Sequence, residues 1–324
     1  MGLCWDLYSA YSTGERRFKM RDSSVSLVLK RSLIQLALTL SWRDPTVCSR
    51  SDQALPLVHQ PLLQVNQVRK VYGGSVHDSY VALDGINLDI RKGEFLCLLG
   101  PSGCGKSTLL NIVAGFEAAT TGSVSFNGVP IRSAGRERMM FFQDAGSALF
   151  PWLTVEENVR FGLRVRKVPK ADWNQVIEKY LRMVDLDAHR NKFPAQLSGG
   201  MRQRLQIARG LAVEPAVLLM DEPFAALDAL TRRRMHAFLI EIWQRTGTTV
   251  VFVTHDIAEA ITLADRIGMM SVGPGSVITK VIDIELARPR DLTNPKVAEL
   301  FHQIEGLLAP DLARSELHAT PALS

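Results

Sequence analysis

The residues best suited to chemistry lie together in one glycine-rich stretch, GPSGCGKST, at positions 100–108. The stretch fits the pattern G-x-x-x-x-G-K-[S/T], in which glycines allow backbone N–H groups to converge on an anion. In that pattern Lys106 reaches the β- and γ-phosphates of a nucleoside triphosphate, and Ser107 holds Mg²⁺. The competing interpretation is a flexible glycine turn that contains a lysine by coincidence.

The neighbouring segments favour a phosphate loop over a simple turn. The apolar run Phe95–Leu99 comes directly before the loop and is typical of a strand buried on both faces of a parallel sheet. Lys106–Ala114 is predicted as a helix that ends at Gly115. The first N–H groups of a helix lack partners within it, so a helix that follows a glycine loop binds anions. Strand, loop and helix together predict that the chain binds a nucleoside triphosphate.

A second apolar run ends in two carboxylates, Asp221 and Glu222, where a buried strand would finish. Ligands bind at the carboxyl ends of the strands in open α/β sheets, so these side chains are expected beside the phosphate loop. Asp221 is suited to hold Mg²⁺, and Glu222 is suited to orient the water that attacks the γ-phosphate. The alternative is a solvated acidic strand end, which is common when such a pair stands alone.

A second glycine-rich helix start lies at Ser198, Gly199 and Gly200, within LSGGMRQRLQIARGLA. Apolar residues at helical spacing predict a helix that begins near Gly200, so this turn is a second geometry for binding phosphate. A chain with one complete phosphate loop has no evident need of another. We infer that this turn contacts a nucleotide held by a second copy of the chain; the alternative is a capped helix with glycine hinges.

The order of these stretches resembles that of the ATP-binding subunits of ABC transporters, over about residues 62–285. GPSGCGKST corresponds to the Walker A loop, LLMDE to Walker B, and Leu197–Met201 to the family's signature. The further matching positions are Tyr72, Gln143, Ala225–Asp228 in the D-loop and His255 in VTHD. Because these elements all occur in the family's order, chance is a poor explanation for the match.

The resemblance implies a role for each matched residue. The nucleotide-binding residues that it implies are Tyr72, Gly100, Pro101, Ser102, Gly103, Cys104, Gly105, Lys106, Ser107, Thr108, Ser198, Gly199, Gly200 and Asp228. The catalytic residues that it implies are Glu222, His255 and Gln143, and the Mg²⁺ ligands are Ser107, Gln143 and Asp221. By the same resemblance, Tyr72 stacks on adenine, Gln143 senses the γ-phosphate and Mg²⁺, and His255 is the switch histidine.

The chain departs from the family pattern in three places. Met201 ends the signature where glutamine is common, a change that should leave the phosphate contact of the Ser-Gly-Gly turn intact. Ala225 opens the D-loop where serine is common, which affects its contacts with a second copy. The insertion GGSVHDSY shifts the alignment near Tyr72, so Tyr80 is a second candidate for the adenine contact.

Strands that alternate with helices predict an α/β fold with a parallel sheet covered by helices on both faces. The resemblance specifies a P-loop NTPase core with a mostly parallel sheet, an N-terminal antiparallel β subdomain and an inserted α-helical subdomain at about 144–205. We expect an ATP-binding domain at 62–290 and a C-terminal tail at 291–324. Residues 1–61 are expected to be a poorly ordered extension or the product of a misassigned start codon; the alternative is a regulatory or docking arm.

Composition excludes several other classes of protein. The 324 residues are 46% hydrophobic and 22% charged, with a net charge of +5 and no dense basic block, so no nucleic-acid partner is expected. The four cysteines form no CxxC pair, and two of them, Cys97 and Cys104, lie in the predicted strand and phosphate loop, which favours a reduced, cytosolic chain. The seven histidines form no zinc-site pattern. No stretch approaches the roughly 18 apolar residues that a membrane span requires.

The resemblance therefore implies an ATP-hydrolysing motor subunit of an ABC import system. Its implied partners are a second copy of the chain, two integral-membrane permease subunits and a substrate-binding protein, at the cytoplasmic face of the inner membrane. QDAGSALFPWLTVEENVRFGL and LLMDEPFAALDALTR are similar to the nitrate, sulfonate and taurine importers. The alternative is a free-standing regulatory ABC ATPase.

Phe150, Pro151 and Trp152 follow Gln143 closely and are predicted to form the surface that docks the permease; the alternative is that Trp152 packs in the core.

Overall fold

The computed structural model describes residues 61–73, 79–142, 148–291 and 293–319, with side chains as far as Pro310. In chain order the strands are β1 (Leu63–Tyr72), β2 (Tyr80–Ile90), β3 (Phe95–Leu99), β4 (Thr121–Phe126), β5 (Val129–Pro130), β6 (Arg138–Phe141), β7 (Val217–Asp221), β8 (Thr249–Thr254), β9 (Arg266–Met270) and β10 (Ile278–Asp283). The α-helices are α1 (Lys106–Ala114), α2 (Val155–Arg166), α3 (Trp173–Met183), α4 (Gly199–Leu211), α5 (Ala229–Thr246), α6 (Ile257–Leu263) and α7 (Pro295–Ala319). Gln143 and all but the last residue of the predicted extension lie outside the described residues.

Two sheets form the core of the described chain. The first is antiparallel, with the strand order β2-β1-β4-β5, and the second has the order β10-β9-β3-β8-β7-β6. In the second sheet every neighbouring pair is parallel except β9 with β10. The predicted α/β fold, with a mostly parallel sheet and a separate antiparallel sheet, is therefore confirmed. The strands β9 and β10 are not among those that the sequence patterns predict.

Strand β3 lies between two apolar cores. All five of its residues are buried. Phe95, Cys97 and Leu99 belong to the core that the helices share, whereas Leu96 and Leu98 belong to the core shared with the antiparallel sheet. Parallel hydrogen bonding to β8 and β9 satisfies the backbone on both sides of the strand. This confirms the predicted strand buried on both faces and anchors the start of the loop that follows it.

The predicted helical region contains α2 and α3, which pack against α4. Val155, Val159 and Leu163 recur at helical spacing along α2 and are fully buried. Thr154 caps this helix, and Glu157 completes a capping box with it. Among the helices of the described chain, none has the length and apolar character needed to cross a membrane.

Helix α7 occupies much of the stretch that we predict as a C-terminal tail. Its residues Val297, Ile304 and Leu308 are buried in the core that the other helices share. Positions seven and four residues apart fall on one face of a helix, which explains how α7 buries an apolar stripe. The described part of the tail thus contributes to the packed domain.

Replacing Ile304 by alanine tests whether α7 stabilises the domain. The side chain is fully buried, so we expect Ile304→Ala to lower the free energy of unfolding by about 2–4 kcal/mol. Leu307→Ala is the matched control, because Leu307 is 39% exposed on the same helix and its loss should cost less than about 1 kcal/mol. Urea denaturation of the full chain measures both variants. Equal free energies for the two would show that the buried face of α7 adds no stability.

Candidate nucleotide-binding site

The loop between β3 and α1 depends on three glycines for its shape. Gly103 and Gly105 have φ angles of +79° and +89°, which residues with side chains rarely adopt. A β-carbon at Gly100 would lie 2.8 Å from the carbonyl oxygen of Met270 and 2.9 Å from the sulfur of Cys104. Gly105 is the N-cap of α1 and carries no side chain, so the first N–H groups of the helix stay available to an anion.

Lys106 lies inside this loop, and only 5% of it is exposed. Its Nζ donates hydrogen bonds of 2.7 Å to the carbonyl oxygens of Gly100 and Pro101. These bonds hold the positive charge against the backbone of the loop, where phosphate oxygens are expected. Burial raises the pKa of the neighbouring Cys104 thiol, so Cys104 is a neutral packing group and not a nucleophile.

Ser107 at the start of α1 contacts Asp221 at the end of β7. The Ser107 hydroxyl donates to Oδ1 of Asp221 at 2.9 Å. Burial raises the pKa of Asp221, the hydrogen bond from Ser107 opposes that rise, and the adjacent Glu222 carboxylate adds to it. Within the described residues, no group of three or more His, Cys, Asp or Glu side chains converges as a metal site. A hydroxyl and a single carboxylate do fit Mg²⁺, which takes few protein oxygens and completes its shell with phosphates and water.

Glu222 and His255 form a second polar pair at the same edge of the sheet. Glu222 has a φ angle of +42°, in the left-handed region that non-glycine residues seldom occupy, and its N–H donates to the carbonyl of Val253. Its Oε1 lies 3.1 Å from Nδ1 of His255, which directly follows β8. The pair therefore joins the turns after β7 and β8.

A recess of about 300 Å³ lies beside the loop and collects most of these groups. It is lined by Tyr72, Tyr80, Ala82, Ser102, Gly103, Gly105, Lys106, Ser107, Thr108, Asp221 and Glu222. Its size suits a small-molecule ligand of which part stays in solvent. Gly100, Pro101 and Cys104 shape the loop behind this lining, and His255 reaches it through its contact with Glu222.

Both candidate tyrosines belong to the recess. Tyr72 and Tyr80 are paired across β1 and β2, and 39% and 47% of their areas are exposed. The hydroxyl of Tyr72 donates to Glu117 at 2.8 Å, and burial raises the pKa of that hydroxyl. The ammonium of Lys70 lies 4.9 Å from the centre of the Tyr72 ring. Either ring is placed to meet a base.

The predicted signature and D-loop residues lie apart from this recess in the described chain. Ser198 caps α4 by accepting the N–H of Met201 at 3.3 Å, so the helix begins one residue before the predicted position. Asp228 caps α5 by accepting the N–H of Thr231 at 3.0 Å, and these hydrogen bonds lower the pKa of Asp228. Each side chain has a local capping role, and the turns that carry them remain available to another molecule.

Two residues that the sequence patterns do not indicate, Gln203 and Glu117, also support the site. Gln203, buried in α4, donates to the carbonyl of Pro223 and so ties the signature helix to the turn beside Glu222. Glu117 forms an ion pair with Lys70 and accepts a hydrogen bond from Tyr72, which lines the recess. A polar residue at a core-facing helical position is a signal that could have identified Gln203, whereas Glu117 has no comparable local signal.

A glycine loop at the carboxyl end of a buried parallel strand, with a carboxylate at the end of another parallel strand of the same sheet, defines a P-loop nucleotide-binding protein. Residues 83–225 match the family model described as "ABC transporter". Over 227 residues, the chain is 43% identical to the nitrate import ATP-binding protein NrtD of Synechococcus elongatus, covering 68% of this chain and 82% of NrtD. The chain therefore belongs to the family of ABC transporter ATP-binding proteins, as the sequence predicts.

Other similar proteins share the cassette. The taurine import ATP-binding protein TauB of Chromobacterium violaceum is 49% identical over 197 residues, covering 61% of this chain and 75% of TauB. The bicarbonate transport ATP-binding protein CmpC of Synechococcus elongatus is 47% identical over 228 residues, covering 70% of this chain. The chain spans only about a third (34%) of CmpC. A dimeric structure of the ATP-binding cassette MJ0796 with ADP and Pi is 31% identical, has a TM-score of 0.58, and covers 69% of this chain and 100% of MJ0796.

Replacing Asp221 by asparagine should separate stability from nucleotide binding. Because burial raises the pKa of Asp221, its ionised form destabilises the folded chain above the ordinary pKa of aspartate, and a neutral amide removes that cost. We expect Asp221→Asn to unfold at the same temperature as the parent or a higher one at pH 7. The stabilisation by MgATP, about 2.7 kcal/mol at a hundredfold excess over Kd, should be lost because Asp221 is predicted to hold Mg²⁺.

Thermal denaturation with and without MgATP measures both effects. Asp89→Asn is the matched control, because Asp89 is exposed on β2 and makes no contribution to the recess. Its variant should keep the full MgATP shift. An Asp221→Asn variant that keeps the parental shift would contradict the assignment of Asp221 to Mg²⁺.

Proposed function

We propose that this chain binds ATP with Mg²⁺ and hydrolyses it. The observation that carries the proposal is that two polar pairs, Ser107–Asp221 and Glu222–His255, meet beside one phosphate loop. Lys106 supplies a buried positive charge in the same loop. Phosphoryl transfer needs little more than positioning and charge stabilisation, and these groups offer both.

Each side chain has a role that follows from its place. Lys106 binds the phosphate oxygens, and Ser107 and Asp221 hold Mg²⁺, which neutralises charge on the transferred group. Glu222 orients the attacking water and accepts its proton. His255 holds the Glu222 carboxylate in position from 3.1 Å. Gln143, outside the described residues, is proposed to sense the γ-phosphate and the metal on the strength of the resemblance alone.

The proposal includes a head-to-tail dimer of two copies. In the described chain, Ser198, Gly199, Gly200 and Asp228 lie outside the recess that holds the phosphate loop. In the dimer they contact the nucleotide of the other copy, and the open helix start at Ser198 serves as the second phosphate-binding turn. The solved MJ0796 cassette, a dimer bound to ADP and Pi, supports dimer formation by a related cassette.

We further propose that the chain drives a membrane importer of small anions or sulfonates. Relatives named for nitrate and taurine import support the substrate class predicted from the sequence, nitrate, taurine or alkanesulfonates. CmpC, named for bicarbonate transport, adds a substrate that the sequence patterns do not indicate. The motor would act at the cytoplasmic face of the inner membrane with two permease subunits and a substrate-binding protein.

Uptake assays of the reconstituted complex with each anion would distinguish the substrates, and failure to bind any permease would favour a free-standing regulatory ATPase.

The surface around Trp152 supports coupling to a permease. Trp152 is 67% exposed, which argues against its packing in the core. Its ring lies 5.7 Å from that of Phe150, which in turn meets Phe161 edge-on at 4.7 Å. Asn158 is fully buried below this turn and bonds to the N–H and carbonyl of Phe150 and to the carbonyl of Leu153. A rigid turn that presents an exposed aromatic ring is suited to anchor a partner.

Glu222→Gln tests the hydrolytic site and the dimer together. The amide still contacts water but accepts no proton, so we expect ATP binding to persist while hydrolysis falls by about a hundredfold or more. ATP should then trap a stable dimer, which size-exclusion chromatography detects. Glu241→Gln, at an exposed position on α5, is the control and should behave as the parent. If Glu222→Gln hydrolyses ATP at the parental rate, the role of Glu222 in hydrolysis is contradicted. If the variant stays monomeric with ATP, the trapped dimer is contradicted.

Trp152→Ala tests the docking surface. We expect the isolated chain to keep its basal ATPase activity and to lose less than about 1 kcal/mol of stability, because the ring is mostly exposed. Permease-stimulated hydrolysis and transport should be abolished. Trp173→Ala is the contrasting variant: Trp173 packs on the core and donates to the carbonyl of Val168, so its loss should cost about 2–3 kcal/mol. Full permease stimulation in Trp152→Ala would exclude it from the interface.

A further inference from the structure

A buried polar network lies behind His255 and outside the recess. It joins Thr254, the last residue of β8, to Glu259 of α6 and His236 of α5. Thr254 is 2% exposed, Glu259 8% and His236 9%. Polar groups at this depth are costly unless they are hydrogen-bonded, so the contacts among the three determine whether the turn is stable.

This network holds the backbone on both sides of His255. The Thr254 hydroxyl donates to the Glu259 carboxylate and accepts the N–H of Asp256 at 3.0 Å. The Asp256 carboxylate in turn accepts the N–H of Glu259 at 3.1 Å and caps α6. The His255 side chain is 55% exposed, so its position depends mainly on the backbone that these bonds hold.

His236 connects this turn to the segment that carries Glu222. Its Nε2 lies 2.6 Å from Oε1 of Glu259, so the imidazole and the carboxyl group share a hydrogen bond. On its other side the ring lies 5.7 Å from that of Phe224, which follows Glu222 by two residues. One buried side chain thus contacts the turn after β7 directly and the turn after β8 through Glu259.

We propose that His236, acting through Glu259, is a positioning residue for the Glu222–His255 pair. This inference rests on the ATPase activity proposed above and adds a residue that lines no part of the recess. Loss of the His236 hydrogen bond leaves the Glu259 carboxylate short of a partner and loosens the backbone on both sides of His255. Hydrolysis then suffers more than binding, because the chemical step depends on the placement of the Glu222–His255 pair whereas the phosphate loop binds the nucleotide.

Two substitutions at His236 separate the hydrogen bond from packing. His236→Phe keeps a ring against Phe224 but removes Nε2. We expect its kcat for ATP to fall by about tenfold or more while KM stays within about twofold, as when one buried hydrogen bond supports a catalytic pair. His236→Gln supplies a new donor toward Glu259 and should restore kcat to within about threefold of the parent.

Two further variants complete the set. Thr254→Val removes the hydroxyl that links Glu259 to the Asp256 N–H with little change of shape, and it should lower kcat as His236→Phe does. Gln244→Ala is the matched control, since Gln244 is exposed on the same helix as His236 and lies outside the network; its kinetics should be those of the parent. If His236→Phe does not fold, His236→Gln and Thr254→Val decide the question.

The full chain is assayed for kcat and KM beside Glu222→Gln, with a melting curve for each variant. An active parent, an inactive Glu222→Gln and a His236→Phe variant with parental kcat overturn the positioning role and leave the proposed function standing. The role is also overturned if His236→Gln is as slow as His236→Phe, or if KM rises as steeply as kcat falls. A parent that does not hydrolyse ATP, or that hydrolyses it no faster than Glu222→Gln, overturns the proposed function and the positioning role together.

Discussion

Parallel pairing of β3, β8 and β7 brings the ends of three strands to one edge of the central sheet. Each strand is anchored by neighbours on both sides and by apolar cores on both faces, so the segments that leave it have little freedom. Ser107 and Asp221 meet at 2.9 Å although 114 residues separate them in the chain. The geometry of the nucleotide site is therefore a consequence of the order and direction of the strands.

Several groups that are costly to bury lie together at this edge of the sheet. Lys106 is enclosed by the loop carbonyls, burial raises the pKa of Asp221, and Glu222 holds a left-handed backbone that costs about 1–3 kcal/mol. Neighbouring hydrogen bonds offset these costs. Gln203 holds the turn after β7, and Glu259 holds the turn after β8. The strain and the desolvated charge lie where a charged ligand would interact with them most strongly.

Two other surfaces, the turn at Ser198 and the turn at Trp152, lie outside the recess. The turn at Ser198 begins a helix without contacting the recess, and Trp152 is exposed although the turn beneath it is fastened by the buried Asn158. A surface that is held in place by buried hydrogen bonds but is itself exposed is typical of a subunit that binds other chains, as the proposed activity requires. The proposed second copy would use the first surface and the proposed permease the second.

The sequence by itself determined the features that depend on neighbours in the chain. The strand β3, the helix α1 and a helix start near Gly200 follow from patterns shorter than about twenty residues, and these predictions are confirmed. The strand pattern also predicts that Asp221 lies beside the phosphate loop, but only the tertiary structure decided the 2.9 Å contact of Asp221 with Ser107 and the pairing of His236 with Glu259. It also formed the β9-β10 edge and packed α7, predicted only as a tail, into the core. These contacts have no local signal because each partner is selected by the assembled sheet and helices, and not by its neighbours in the chain.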